Sequence, residues 1–187
     1  MNLITQTELE NYMRGIGSPV SDVDPLWVRD RIAAWSRVMA RYCGRLDWGT
    51  NGSTVTEYYD GGSRHLQLHQ IPNVSVIDIC EDANWGWGTG TARDSSGYDA
   101  DADYGVVTLG EGGQWLSGPR AVRVRYTAGY TSTSDVPDDL KEACLTQVCH
   151  AWRQMRTRRT DEDMSPVTGS LTRAVREMIG SYRIVSV

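Results

Sequence analysis

The spacing of apolar residues changes twice along this chain, and this change constrains the fold more than any other feature. Near both ends, apolar residues recur every three or four positions, which is the period of one helix face. Between them, apolar residues alternate with polar ones, as they do in half-buried strands. The sequence therefore predicts an α+β fold, in which 1–50 and 134–187 form a helical bundle and 51–133 is an inserted antiparallel β region.

The first long helix has recognisable ends in the sequence. Asp24 is a typical N-cap residue, Pro25 suits the first helical position, and Gly44 suits the C-terminal cap. Apolar residues between these ends recur at spacings of four and three. We therefore predict a helix roughly 28 Å long. Its buried stripe is predicted to be Val28, Ile32, Trp35, Met39 and Tyr42.

Three further segments carry helical signals. A short helix is predicted after Thr5 or Thr7, because a glutamate three residues later can complete a capping box. A long helix is predicted after Val136-Pro137, since aspartates at its start and arginines at its end suit the helix dipole. A last amphipathic helix is predicted over Ser170–Tyr182. The long helix is predicted to bury Leu140, Cys144, Val148, Ala151 and Met155.

The middle of the chain predicts four to six antiparallel strands joined by long loops. In the last candidate strand, apolar Val122, Val124 and Tyr126 alternate with Arg123 and Arg125, so the two sets are expected on opposite faces. The candidate strands are Thr54–Tyr59, the segment around Leu66 and Leu68, Val74–Cys80, Tyr104–Leu109 and Ala121–Tyr126.

The aromatic and basic residues are biased towards a few types. The chain has seven Trp and nine Tyr but no Phe, and Lys141 is the only lysine among 19 basic residues. Arg, Trp and Tyr are enriched where protein surfaces meet, so this bias favours a protein that works by contact. The alternative is drift in a genome rich in G and C, which favours arginine over lysine.

Charge and cysteine usage limit the partners and the compartment. The formal net charge of −5 argues against a protein whose main task is to grip nucleic acid. The first residues lack the basic and apolar regions of a signal peptide, and no apolar run approaches the roughly 20 residues of a membrane span. The four cysteines form no Cys-x-x-Cys pair, so buried free thiols in a reducing compartment are expected.

Patterns for catalysis and metal binding are weak. His65 and His69 on one strand would lie about 13 Å apart, which is too far for one metal ion. Asp99, Asp101 and Asp103 have the opening spacing of a calcium loop, but the glycine and glutamate that such a loop needs are replaced. We therefore predict no enzyme activity, no metal and no cofactor; a small hydrolase of unrecognised type is the weakest alternative.

Trp85 and Trp87, in the glycine-rich segment WGWGTG, are the candidate partner-contact loop. Aromatic side chains on such a loop can stack on a partner protein, a sugar or a base. Two alternatives remain at this point. The loop can be a hairpin tip that folds back on its own sheet, or Trp85, Trp87 and Trp115 can form a carbohydrate- or ligand-binding surface.

Several local patterns, taken in order, resemble those of the head–tail connector (adaptor) proteins of tailed bacteriophages. Each pattern is short, but together they cover both helical ends and the last strands. The patterns are Leu3-Ile4-Thr5 before a short acidic helix, a second helix leading to 41–45, the turn at 124–130, the helix start at 136–144, and the end at 178–183.

This resemblance implies a structural protein of the virion neck, made in the host cytoplasm. Its subunits would form a ring, usually of twelve copies, with the portal protein on one side and a stopper or tail-side protein on the other, and genomic DNA would pass through. A tail-completion or stopper protein is the alternative within the virion. The resemblance supplies no catalytic residues, and it implies that the portal is contacted by the C-terminal residues Tyr182, Arg183, Ile184, Val185, Ser186 and Val187.

Overall fold

The chain divides into a helical unit and a β unit. The computed structural model describes residues 1–18, 24–49, 53–88, 91–158 and 170–184. The helical unit contains Met1–Trp48 together with the described residues from Ser132, and the β unit is Gly49–Thr131. The described residues form four α-helices and two small antiparallel sheets, which confirms the α+β class.

The helices begin where the sequence places their caps. Thr5 and Glu8 form the predicted capping box, and the carboxylate of Asp24 accepts a hydrogen bond from the Leu26 backbone N–H at 2.9 Å. No helix in the described part of the chain is long and apolar enough to cross a membrane. The helices are α1 (Gln6–Gly15), α2 (Pro25–Tyr42), α3 (Asp138–Arg158) and α4 (Arg173–Met178).

The core of the helical unit matches most of the predicted stripes. The first four residues of each predicted stripe are buried, but Tyr42 and Met155 are only half-buried, so their prediction as core residues was wrong. Helix α2 ends at Tyr42, and the chain then turns so that Cys43 is fully buried in its place. Met155 lies in the last turn of α3, beyond the most buried part of that helix, where Trp152 is buried.

The last helix is shorter than the predicted segment Ser170–Tyr182. The hydroxyl of Thr172 accepts a hydrogen bond from the Val175 backbone N–H at 3.3 Å, which fixes the start of α4 at Arg173. The helix ends at Met178, and Gly180–Tyr182 forms a separate 3₁₀ turn.

The β unit contains two three-stranded sheets among its described residues, with all neighbours antiparallel. The central strand of each sheet is the one predicted from a valine-rich run. Strand orders are β1-β6-β3 and β2-β5-β4. The strands are β1 (Val55–Tyr59), β2 (His65–Gln67), β3 (Ser75–Glu81), β4 (Tyr98–Ala100), β5 (Val106–Leu109) and β6 (Val122–Thr127).

Strand β6 shows the predicted alternation most clearly. Val122, Val124 and Tyr126 are buried, while Arg123 and Arg125 are half-buried on the other face. Both arginines pair with Asp78 of β3, at 3.3 and 3.0 Å. Both sheets contribute to one core, which comprises Leu66, Leu68, Val74, Ile79, Val107, Leu109, Trp115, Val122, Val124, Tyr126 and Ala128.

Candidate functional site

The start of the predicted portal-binding tail is anchored to the helical unit. The Tyr182 hydroxyl donates a hydrogen bond to Asp139 at 2.6 Å, and the Tyr182 carbonyl accepts one from Arg45 at 3.1 Å. The Ile184 backbone N–H donates to the Cys43 carbonyl at 3.0 Å. Val185, Ser186 and Val187 lie outside the described residues, so the portal contact stays a prediction for all six positions.

The end of α2 provides the surface on which this tail lies. Gly44 has φ +76°, and the Arg45 backbone N–H donates to the Ala40 carbonyl at 2.9 Å, so the helix ends in the glycine-capped turn that the sequence predicts. A Cβ atom at Gly44 would lie 3.6 Å from the Ile184 carbonyl oxygen. The cap therefore leaves room for the backbone of the C-terminal segment to pass close to α2.

A basic groove lies beside the same end of α2. This arginine groove, which we define by Tyr42, Arg173, Arg176 and Glu177, is open and has a volume of about 330 Å³. Arg173 forms an ion pair with Glu177 at 2.8 Å, and the Arg183 guanidinium lies 5.3 Å from the centre of the Tyr42 ring. Three guanidinium groups therefore meet one carboxylate here, which suits a partner that carries negative charge.

The tryptophan loop is ordered by its own aspartate. The Asp82 carboxylate accepts hydrogen bonds from the backbone N–H groups of Asn84 at 2.7 Å and Gly86 at 3.0 Å. A Cβ atom at Gly86 would lie 2.7 Å from this carboxylate, so a larger residue there would displace the Asp82 side chain. These two hydrogen bonds therefore hold the turn that carries both tryptophans.

The two tryptophans of the loop have different surroundings. Trp87 is half-buried, and its ring lies 4.8 Å from that of Tyr58 on the adjacent strand β1, as expected for a loop folded back on its sheet. Trp85 is 54% exposed, although its indole N–H donates to the Pro119 carbonyl at 2.9 Å. Contact with a partner stays a prediction for both residues, and Trp85 has the more accessible ring.

Trp115 cannot belong to an exposed ligand-binding surface. Its side chain is 1% exposed and lies in the core of the β unit. The Arg93 guanidinium covers its ring at 5.5 Å from the centre. The carbohydrate-binding alternative therefore loses one of the three tryptophans on which it rested.

Both histidines and Asp101, which were considered for metal binding, have other partners. His65 Nδ1 lies 2.9 Å from the Thr108 hydroxyl, whereas His69 Nδ1 lies 3.3 Å from the Glu57 carboxylate. Asp101 accepts hydrogen bonds from the backbone N–H groups of Asp103 and Tyr104, so its carboxylate shapes a turn. Within the described ranges, no group of three or more His, Cys, Asp or Glu residues is placed to hold a metal ion.

The four cysteines are buried free thiols, as predicted. Burial raises the pKa of Cys144 to about 12, and it raises those of Cys43 and Cys149 to about 11. A thiol with such a pKa carries very little thiolate near neutral pH, and the thiolate is the nucleophilic form. These three cysteines are therefore suited to packing and not to catalysis.

A half-buried polar cluster in the β unit was missed by the sequence analysis. The Glu57 carboxylate accepts hydrogen bonds from the Tyr59 hydroxyl and from the His69 backbone N–H, the latter at 3.2 Å. Burial, followed by the nearby charge of Glu57, raises the pKa of Tyr59 and Tyr126. The alternation of β1 places Glu57 on the same face as Val55 and Tyr59, and this signal could have found it. Its contacts indicate a structural role.

The comparisons with known proteins give a shared fold and no sequence match. No family model matches the chain, and no curated protein matches it. Solved chains from gene transfer agent particles have the same fold over nearly the whole length of this one.

Three of these structures define the likeness. A chain of the neck of a native gene transfer agent particle, computed with C12 symmetry, has TM-score 0.61 and 16% identity, covering 97% of this chain and 88% of that one. A chain of the neck of an empty particle, computed with C6 symmetry, has TM-score 0.62 and 17% identity, with 99% and 91% covered. A chain of the virion of the native particle has TM-score 0.63 and 18% identity, with 99% and 91% covered.

Proposed function

We propose that this chain is a structural subunit of the neck of a phage-like particle, specifically a head–tail connector (adaptor). Twelve copies form a ring beneath the portal protein, a stopper or tail-side protein lies below, and DNA passes through. The observation that carries the proposal is the likeness in fold, along 97–99% of the chain, to chains of gene transfer agent necks and virions. The resemblance of the sequence to connector proteins supports it independently.

The working parts of such a subunit are surfaces, and not a reaction centre. The helical unit brings the N-terminal helices and the described C-terminal residues into one packed body, which suits a ring segment that must keep its shape. The surface of this unit carries the anchored residues Tyr182–Ile184 and the arginine groove. In this proposal, the residues from Tyr182 onward contact the portal, and the exposed ring of Trp85 contacts a neighbouring protein of the neck.

The charge of the subunit suits the passage of DNA. The helical unit has 14 basic and 14 acidic residues, whereas the β unit has five arginines and ten acidic residues. The whole net charge of −5 therefore belongs to the β unit. A ring with this excess of negative charge repels the DNA phosphates overall, which favours sliding of the DNA over tight binding.

Removal of the last four residues, Ile184 to Val187, tests the portal contact. We expect this deletion to weaken binding to the portal protein of the same particle by at least about tenfold, since the contacting segment is lost. The free energy of unfolding should fall by only about 1 kcal/mol, because the main loss within the described residues is one backbone hydrogen bond to Cys43. Binding is measured by surface plasmon resonance on immobilised portal, and stability by urea denaturation.

A matched control uses the same segment without shortening it. Replacing Ile184 by alanine keeps the backbone N–H that bonds Cys43, so binding should fall less than in the deletion. Unchanged portal binding by the deletion variant contradicts the assigned contact. Binding of the intact chain to a tail-side protein but not to the portal supports the stopper alternative instead.

A further inference from the structure

We infer that the arginine groove binds the acidic edge of the β unit of a second copy of this chain. We define the acidic edge by the exposed carboxylates of Asp99, Asp101 and Asp103 on and after β4. The inference rests on the proposed function, because it supplies the contact between neighbouring subunits of the ring. It names the partner of the groove, which neither the sequence patterns nor the likeness in fold provides.

The acidic edge combines a hydrogen-bonded turn with a strand edge that has no partner strand in the described β unit. Strand β4 pairs only with β5, so its other side is a free sheet edge in the described β unit. Asp101 accepts two backbone hydrogen bonds, at 2.9 Å from Asp103 and 2.8 Å from Tyr104, which hold the turn after β4. Tyr104 is 72% exposed at the tip of this turn. Among the described residues, none of the three carboxylates forms an ion pair.

The groove offers the complementary charge and shape. Arg173 and Arg176 line the groove together with Tyr42, and Glu177 is the carboxylate among these four residues. The groove is open and has a volume of about 330 Å³, so its arginines are accessible to a protruding turn. Guanidinium groups form strong paired hydrogen bonds with carboxylates, and they also pack on aromatic faces. The groove and the edge therefore match in both charge and residue type.

A second copy is the occupant that the ring requires. In a ring of identical subunits, each subunit presents two different surfaces, one to each neighbour, and these surfaces must be complementary. The acidic excess lies in the β unit, and the arginine groove lies in the helical unit. One chain therefore carries both halves of such a contact.

The test uses two variants with reversed charge and the intact chain. The groove variant is Arg173→Glu/Arg176→Glu, and the edge variant is Asp99→Arg/Asp103→Arg, which leaves Asp101 to hold the turn. Self-association is measured by sedimentation velocity and native mass spectrometry up to the highest soluble concentration. Each variant alone should associate at least about tenfold more weakly than the wild type, because like charges then meet.

An equimolar mixture of the two variants should recover association, since every contact between unlike copies again joins opposite charges. Because copies of one variant repel each other, the two must alternate, so recovered assemblies contain equal numbers of each. A control variant, Arg14→Glu/Arg29→Glu, lowers the net charge by the same amount as the groove variant, but at exposed positions of α1 and α2. It should associate like the wild type, and circular dichroism should show all variants folded.

Three results overturn the inference. They are a wild-type chain that does not associate at any soluble concentration, a groove variant that associates like the wild type, and a mixture that does not recover. Loss of binding to a DNA duplex by a groove variant that still associates would assign the groove to nucleic acid instead. If the mixture of variants recovers association but the wild-type chain does not bind the portal, the inference is supported and the proposed function is contradicted. The failure of one can therefore be told from the failure of the other.

Discussion

Replacing Trp48 with alanine is expected to lower the free energy of unfolding by about 3–5 kcal/mol. The Trp48 side chain is fully buried in the helical unit, and its indole N–H donates a hydrogen bond to the Ser36 carbonyl at 2.7 Å. The Arg45 guanidinium also lies 5.1 Å from the centre of its ring. The substitution therefore removes packing and a buried hydrogen bond, and it leaves a cavity. Urea denaturation followed by far-ultraviolet circular dichroism measures the loss without using tryptophan fluorescence.

A matched pair of phenylalanine variants separates the hydrogen bond from the packing. Trp35 is also buried, but its indole N–H has no hydrogen-bond partner among the described residues, and it borders a cavity of about 210 Å³. Trp48→Phe should therefore cost about 1 kcal/mol more than Trp35→Phe, because only Trp48→Phe removes a buried hydrogen bond. Equal losses in the two variants would contradict this account of the helical core.

Replacing Gly61 with alanine is expected to lower the free energy of unfolding by about 2–4 kcal/mol. Gly61 has φ +68°, a conformation that an alanine adopts only with strain. An added Cβ atom would lie 2.0 Å from the Leu116 carbonyl oxygen, and this backbone atom cannot move without shifting the segment that follows Trp115 in the core. Urea denaturation followed by circular dichroism measures the effect.

The neighbouring glycine provides the control. Gly62 has φ +80°, so alanine is strained there as well, but the nearest atom to the added Cβ is the Ser117 side-chain oxygen at 3.3 Å. That hydroxyl can rotate away, and we expect Gly62→Ala to cost about 1 kcal/mol. The difference between the two variants isolates the backbone clash. Equal effects would show that strain at positive φ accounts for both.

The long helices and the central strands follow from local signals that tertiary packing does not oppose. Asp24 and Pro25 fix the start of α2, and its stripe through Met39 is buried as the spacing predicts. The alternation of Val122, Val124 and Tyr126 places β6 at the centre of its sheet in the same way. In these elements, the sequence period and the burial agree.

The sequence-based predictions fail for short strands and at the ends of helices. β4, Tyr98–Ala100, was not predicted as a separate strand, because three residues are too few to show alternation. β4 is a strand because it pairs with β5 on one side. At the end of α2, the helical period predicted Tyr42 as the next core residue, but the glycine-capped turn at Gly44 places Cys43 inside. Local periodicity gives no warning of such a turn in direction.

The candidate surfaces could be predicted only in part. Trp85 and Trp87 were found because two tryptophans in a glycine-rich loop are visible in the sequence, although their unequal exposure depends on Tyr58 and Pro119. The arginine groove was not predicted, since Tyr42 and Arg173 are far apart in the chain and only the packing of α4 brings them together. Such a site depends on tertiary contacts that composition and spacing do not encode.

A reconstruction by electron cryomicroscopy of the neck of the particle that contains this chain tests the central claim most directly. The account predicts a ring of twelve copies between the portal and the tail-side protein, into which the helical and β units fit, with DNA or an open channel along its axis. A reconstruction in which the neck is complete and the chain is found elsewhere, or is absent from the particle, would contradict the account.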